Sequence, residues 1–181
     1  MRIKILSLLI VSICFSFSTT DWEVFQSFDG KFKILTPGKM EKKEKSIETG
    51  IGNISYITHF HQPAEKDADN LVYMVSYCDY PENSIHSDST AFLEEFFKTT
   101  IESSVESVNG ELSYTTEIEL GDYSGKLWRV DYNDGKASIK TKAYMVKNRL
   151  FTLQVITMKD KAMNIWADKF LDSFSLLSSD G

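Results

Sequence analysis

The chain has 181 residues, with 26 acidic against 20 basic side chains, 13% aromatic residues and two cysteines. A net charge of −6 disfavours nucleic acid or an anionic lipid surface as partner, because both need a basic face. The length suits one domain with a substantial core.

At the N-terminus, Arg2 and Lys4 precede an apolar run from Ile5 to about Phe17, followed by small residues and the first acid, Asp21. This is the pattern of a secretory signal peptide, and the run falls short of the ~20 residues a spanning helix needs. Ser16-Phe17-Ser18 places cleavage after Ser18, giving a signal peptide over 1–18, a single domain over 19–181, and export to the periplasm or the exterior. Cleavage removes Arg2 and Lys4 and no acid, taking the net charge from −6 to −8. It also removes Cys14, so Cys78 has no partner for an internal disulfide. The competing reading is a lipoprotein acylated at Cys14, but bulky Ile13 stands where a small residue is usual.

Further along, "VFQSFDGKFKILTPGKM" predicts a hairpin with a two-residue turn at Asp29-Gly30, ended by Pro37-Gly38. "KMEKKEK" is a solvated loop or edge of mixed charge. "IGNISYITHFHQ" and "LVYMVSYCDY" predict two strands joined by the polar "PAEKDADN". Their expected core face carries Ile54, Tyr56, Thr58 and Phe60 on one strand, and Tyr73, Val75 and Tyr77 on the other.

From Ser89 the period changes to three and four. Phe92, Leu93, Phe96, Phe97, Ile101, Val105 and Val108 form the stripe of an amphipathic helix, with Ser87 or Asp88 as cap and Asn109-Gly110 as stop. Strands return in "ELSYTTEIEL", "GKLWRVDY", "KASIKTKAYMV" and "RLFTLQVITM", divided by turn signals at Gly121 to Gly125, Asn133-Asp134-Gly135 and Lys147-Asn148. A closing helix carries Met163, Trp166, Ala167, Phe170, Leu171 and Phe174 on one stripe. Hairpin, hairpin, helix, meander and helix define an α+β fold, a mostly antiparallel sheet with helices packed on it.

The opening "FDGKFKILTPGK", the strand "YMVSYCDYP", the long helix, the hairpin "KTKAYMVKNRLFTLQV" and the closing "FLDSFSL" together resemble secreted bacterial proteins of the PsbP-like group. That group includes DcrB-like periplasmic proteins and shares its fold with the photosystem subunit PsbP and the Mog factors. The resemblance spans Asp21 to Leu177. It implies an αβα sandwich around an antiparallel sheet, and a non-enzymatic binding or assembly role with a protein partner in the cell envelope. It carries no catalytic set and no cofactor with it, and nothing here points to photosynthesis.

Among candidate sites, His59 and His61 stand two apart on a strand, on one face at ~7 Å, a spacing compatible with zinc or copper if a third ligand converges. Strand pairing centred on "PAEKDADN" sets His59 opposite Met74, His61 opposite Val72 and Cys78 opposite Ser55. Met74 is then the nearby soft donor, and Cys78 lies out of reach. Cys78 itself reads as a buried small hydrophobe. His86 falls in a polar connection, no nucleophile elbow surrounds any serine, and Glu94-Glu95 and Glu117/Glu119 lie on solvated faces. Trp22, Trp128 and Tyr132 are the candidates for a ligand or partner patch, with core packing as the plainer role. Asn53-Ile54-Ser55 matches a glycosylation sequon. The sequence thus predicts an exported, monomeric, non-catalytic binding or assembly module. The alternative is a small-ligand or metal carrier using the His59/His61 face.

Overall fold

The computed structural model describes residues 22–49 and 52–177; the segment expected to be a signal peptide, with Cys14, lies outside them. The elements run β1 (Glu23–Ser27), β2 (Phe32–Thr36), β3 (Glu41–Thr49), β4 (Gly52–His61), β5 (Asn70–Asp79), α1 (Thr90–Ser107), β6 (Glu111–Leu120), β7 (Tyr123–Tyr132), β8 (Ala137–Val146), β9 (Arg149–Met158), α2 (Ile165–Asp172) and β10 (Ser175–Leu176). β3 to β9 form a seven-stranded sheet in the order β3-β4-β5-β9-β8-β7-β6, and β1, β2 and β10 form a small second sheet. All pairings are antiparallel. Two meanders, one before α1 and one after it, therefore meet along β5 and β9.

Alternation of side chains gives the large sheet two buried faces. On one, Trp128, Val130, Ala143, Met145, Leu150 and Cys78 pack against Leu93, Phe97 and Ile101 of α1. On the other, Tyr73, Val75, Tyr77, Tyr144, Phe151, Leu153 and Val155 pack against Phe32 and Ile34 of the small sheet and Ala167, Phe170 and Leu171 of α2. The fold is α+β and mostly antiparallel, with two α-helices among the described residues.

Of the two readings of the mixed-charge segment, the edge is the one found: it is a nine-residue exposed edge strand, β3, paired with β4 along its whole length. Several other local expectations are corrected. The first turn is not the two-residue Asp29-Gly30: Ser27 pairs with Phe32, so four residues intervene. Lys31 takes the left-handed conformation there (φ 57). Gly30 is required for space instead, since a Cβ would lie 2.5 Å from the Phe32 ring. Gly121-Asp122 makes the β6–β7 turn, whereas Gly125 lies inside β7, where a Cβ would come within 2.3 Å of the Ala143 carbonyl oxygen.

The β4–β5 register also differs by one residue. His59 pairs with Val75, His61 with Tyr73 and Ile57 with Tyr77. A one-residue slip exchanges the faces, so the histidines share a face with Tyr73, Val75 and Tyr77, and Phe60 and Met74 take the other.

Both helices start differently from the sequence reading, while α1 stops at Asn109-Gly110 as expected. Ser89, not Ser87 or Asp88, is the α1 N-cap residue. Asn109 (φ 48) ends the helix while the Gly110 amide donates to the Val105 carbonyl at 3.0 Å, a Schellman-type stop. Phe92 is not in the stripe but 74% exposed. α2 has only eight residues and starts beyond Met163; Asn164 Oδ1 caps it, accepting from the Trp166 and Ala167 amides at 3.1 and 2.9 Å. Buried Asn70 holds that cap in place, its side-chain amide and that of Asn164 bonding reciprocally at 3.0 and 2.9 Å.

Candidate binding surface

Trp22, Trp128 and Tyr132 do not come together. Trp128 is 1% exposed under α1 and donates from Nε1 to the Ser104 hydroxyl at 3.0 Å. Tyr132 shares its strand parity two positions beyond Val130, half-buried. Trp22 lies against the opposite face, edge-on to Tyr73 and stacked on Trp166 with centroids 5.9 Å apart. The Lys169 ammonium sits over both indoles, 4.6 Å from Trp22 and 5.5 Å from Trp166.

Next to Trp166 in the chain stand two further exposed apolar side chains. Met163 is 94% exposed and Ile165 72%, held outward because the Asn164 cap fixes the chain entering α2. They rim a groove of about 350 Å³ whose floor is a cross-strand row, Tyr114 of β6, Arg129 of β7 and Lys140 of β8. Lys140 reaches Asp168 at 2.6 Å. Arg129 grips Asp131 at 2.9 and 3.3 Å, and Asp131 also accepts from Ser113 at 2.6 Å and from Lys159. Burial opposes ionisation of Asp131, but these donors outweigh it and hold the carboxyl down to about 2. Exposed apolar side chains thus stand beside a polar, ion-paired floor. Sequence reasoning placed Met163 in a helix stripe, and the Asn164 cap signal, read correctly, would have excluded it.

A second cleft, of about 430 Å³, lies on the α1 face, and β6 forms a wall of both. Leu93 and Phe97 supply its apolar side, and Glu94, Glu117 and Glu119 surround Lys126. Lys126 bonds Glu94 at 2.8 Å and Glu117 at 3.1 Å. The Glu94 contact, and behind it Glu117, raise its pKa against the opposing effect of burial.

The two histidines are engaged separately. His59 is buried among Phe25, Phe32 and Tyr77, with centroids at 4.8, 6.1 and 6.4 Å. Its Nε2 and the Tyr77 hydroxyl are the buried polar side-chain atoms without a hydrogen-bond partner among the described residues. Burial, then Lys42, lowers its pKa, with Asp29 opposing. His61 Nδ1 donates to the Lys39 carbonyl at 3.1 Å, and Gly38 lets the chain pass, since a Cβ would meet the ring at 2.6 Å. Met74, paired with Phe60, projects from the opposite face and cannot join them as third ligand. Among the described residues, no three His, Cys, Asp or Glu side chains are grouped to hold a metal ion.

The other candidates are similarly placed. Cys78 is buried, which pushes its thiol up to about 11. His86 lies 3.3 Å from Asp88 on an exposed connection. Asn53 is exposed near the start of β4. Arg149, which sequence reading passed over, ties three segments together. It grips Asp79 bidentately at 2.5 and 2.6 Å, donates to the Asp29 and Gly30 carbonyls at 2.9 and 3.1 Å, and lies 4.8 Å from the Tyr77 ring.

No family model matches the sequence, and no curated protein matches it. Among solved structures, the chain is similar to cyanobacterial PsbP from Synechocystis, with a TM-score of 0.56 at 13% identity, over 92% of this chain and 98% of that one. The fold is PsbP-like. A protein of unknown function from Pseudomonas aeruginosa aligns at a TM-score of 0.37 and 7% identity over 77% of this chain and 85% of that one, too distant to bear on the fold. Among the described residues no helix is long and apolar enough to cross a membrane.

Proposed function

We propose that this chain is an exported, monomeric, non-catalytic module that binds or helps assemble another envelope or secreted protein through the surface at the start of α2. The observation that carries the reading is the pair Met163 and Ile165, held out in solvent on the rim of a preformed groove by the Asn70–Asn164 network. Apolar side chains fixed in that position gain free energy only when a partner covers them. The N-terminal charge and apolar pattern supports export, and the two helices on separate buried clusters support the finer architecture, an αβα sandwich of the kind found in DcrB-like exported proteins. The non-catalytic part of the reading rests on side chains held in unreactive states: a buried Cys78 thiol raised to about 11 and a His59 ring enclosed by aromatics.

The test is crosslinking and affinity capture of the processed protein from its native host, alongside a Met163→Asp/Ile165→Asp variant with unchanged thermal stability. A stoichiometric partner lost with the variant is the expected outcome. Equal capture by both proteins removes this surface from consideration, and a mature N-terminus other than Thr19 removes the predicted cleavage.

A further inference from the structure

The large sheet ends in two strands, β3 and β6, whose outer edges have no neighbour among the described residues. Glu41 to Glu48 of β3 and Glu111 to Glu117 of β6 are all exposed. On such an edge about every second residue turns its N–H and C=O outward, ready to pair with another strand. Proteins commonly blunt an edge with lysines and bulges. β3 carries Lys42, Lys43 and Lys45; β6 carries no basic residue and three acids, Glu111, Glu117 and Glu119. A register shift between Leu112 and Tyr114 disturbs only the start of β6, leaving Tyr114 to Leu120 as a regular open edge.

The two faces of that edge differ in chemistry. Tyr114 lines the α2 groove, and Ile118 and Leu120 pack on the same side of the sheet. Thr115, Glu117 and Glu119 pair with Trp128, Lys126 and Ser124, on the α1 side, where the two glutamates border the second cleft. A strand added to β6 would therefore meet apolar surface with one set of alternate side chains and carboxylates with the other.

We infer that the β6 edge is a docking rail for an extended segment of another protein in which basic residues alternate with apolar or β-branched ones. Main-chain pairing supplies the affinity and the alternating side chains the specificity. Charge selects this occupant over a second copy of the chain. Two-fold pairing centred on Glu117 sets that carboxylate opposite its own copy, and pairing centred on Thr116 sets the two Glu117 side chains diagonal to one another, which like charges disfavour. The inference rests on the binding role proposed above and specifies what the same corner of the molecule recognises.

The experiment uses the processed protein and an eight-residue peptide alternating lysine with valine. Three comparisons accompany it: a scrambled peptide, the same peptide N-methylated at alternate residues, and a Glu117→Lys/Glu119→Lys variant with a Lys42→Glu/Lys43→Glu control. Expected are binding of the alternating peptide alone, new amide-exchange protection over Tyr114 to Leu120, and weakening of about tenfold or more by charge reversal on β6. No weakening is expected from reversal on β3. Equal binding of the scrambled or N-methylated peptide, protection appearing on β3, or concentration-dependent dimers abolished by the β6 variant would each overturn the inference. So would no binding at all. Host capture lost in the Met163/Ile165 variant but retained in the Glu117/Glu119 variant ends this inference alone; capture retained in both ends the functional reading with it.

Discussion

The two faces of the large sheet are closed in different ways. On one, a single 18-residue helix covers the core, and the largest buried side chain, Trp128, finds a hydrogen-bond partner in Ser104 of that helix. On the other, cover is assembled from two five-residue strands, a two-residue strand and an eight-residue helix. Among the described residues, His59 Nε2 and the Tyr77 hydroxyl are left there without hydrogen-bond partners. A continuous amphipathic element can satisfy a face by itself, whereas a patchwork leaves seams, and a seam needs a specific clamp. Arg149 is that clamp, joining β9 to β5 and to the β1–β2 turn.

The largest expected effects compare the two covers directly. Phe97→Ala under α1 and Phe32→Ala under the small sheet each empty a fully buried site and should each cost about 3–5 kcal/mol in denaturant unfolding. Their exchange behaviour should differ. Amides of β1 and β2 are expected to exchange through local opening well below the global unfolding free energy, and those of β7 and β8 only through global unfolding. Uniform protection across both would remove the distinction between a continuous and a patchwork cover.

Arg149→Met tests the clamp. It deletes two ion-pair hydrogen bonds and two bonds to carbonyls while keeping much of the apolar stem, and should cost about 2 kcal/mol. Faster exchange confined to β1–β2 is the accompanying signature, and unchanged exchange there would show that the seam holds without it. Asn164→Ala comes next. Losing the α2 cap and the Asn70 pair should cost about 1–2 kcal/mol by thermal unfolding; a loss within 0.5 kcal/mol of zero would mean that packing alone fixes α2.

The same contrast explains what could be read from the sequence. The α1 stripe of Leu93, Phe97 and Ile101 repeats for five turns, so its face was legible from periodicity, with Phe92 as the exception at the fraying start. The meander after α1 was legible because short turn signals separate long alternating strands. On the patchwork side the opening hairpin and the α2 stripe of Ala167, Phe170 and Leu171 were legible too, and what was misread was the length of the hairpin turn and the start of α2. β3 lacked an apolar alternation and gains its strand from pairing with β4 over nine residues. β4 and β5 are apolar enough on both faces that alternation did not fix their register, and the slip by one residue moved His59 and His61 to the core side and Met74 away from them. The proposed binding surface stayed hidden for a related reason. Met163 and Trp166 fit a helical period, and only the Asn164 cap, which depends on Asn70 across 94 residues of sequence, shows that Met163 lies outside the helix.

His59 offers the smallest and most specific test of the seam. Burial and Lys42 lower its pKa in the fold, with Asp29 opposing, so the folded protein favours the neutral ring while the unfolded chain titrates near 6.5. Below that pH the unfolded state binds the extra proton, and stability falls as pH drops from about 6.5 toward the folded pKa, by at most ~1.4 kcal/mol per pH unit. Above the unfolded value the contribution is fully present. His59→Phe keeps an aromatic ring against Phe25, Phe32 and Tyr77 and removes both the titration and the unpartnered Nε2. The variant should therefore lie within about 1 kcal/mol of the parent at pH 7 and lose less stability between pH 7 and pH 5. Carboxylates titrating at lower pH act on both proteins alike and cancel in the difference. Parallel pH profiles would show that the His59 ring reaches solvent when protonated, and that the small-sheet cover is looser there than its aromatic packing implies.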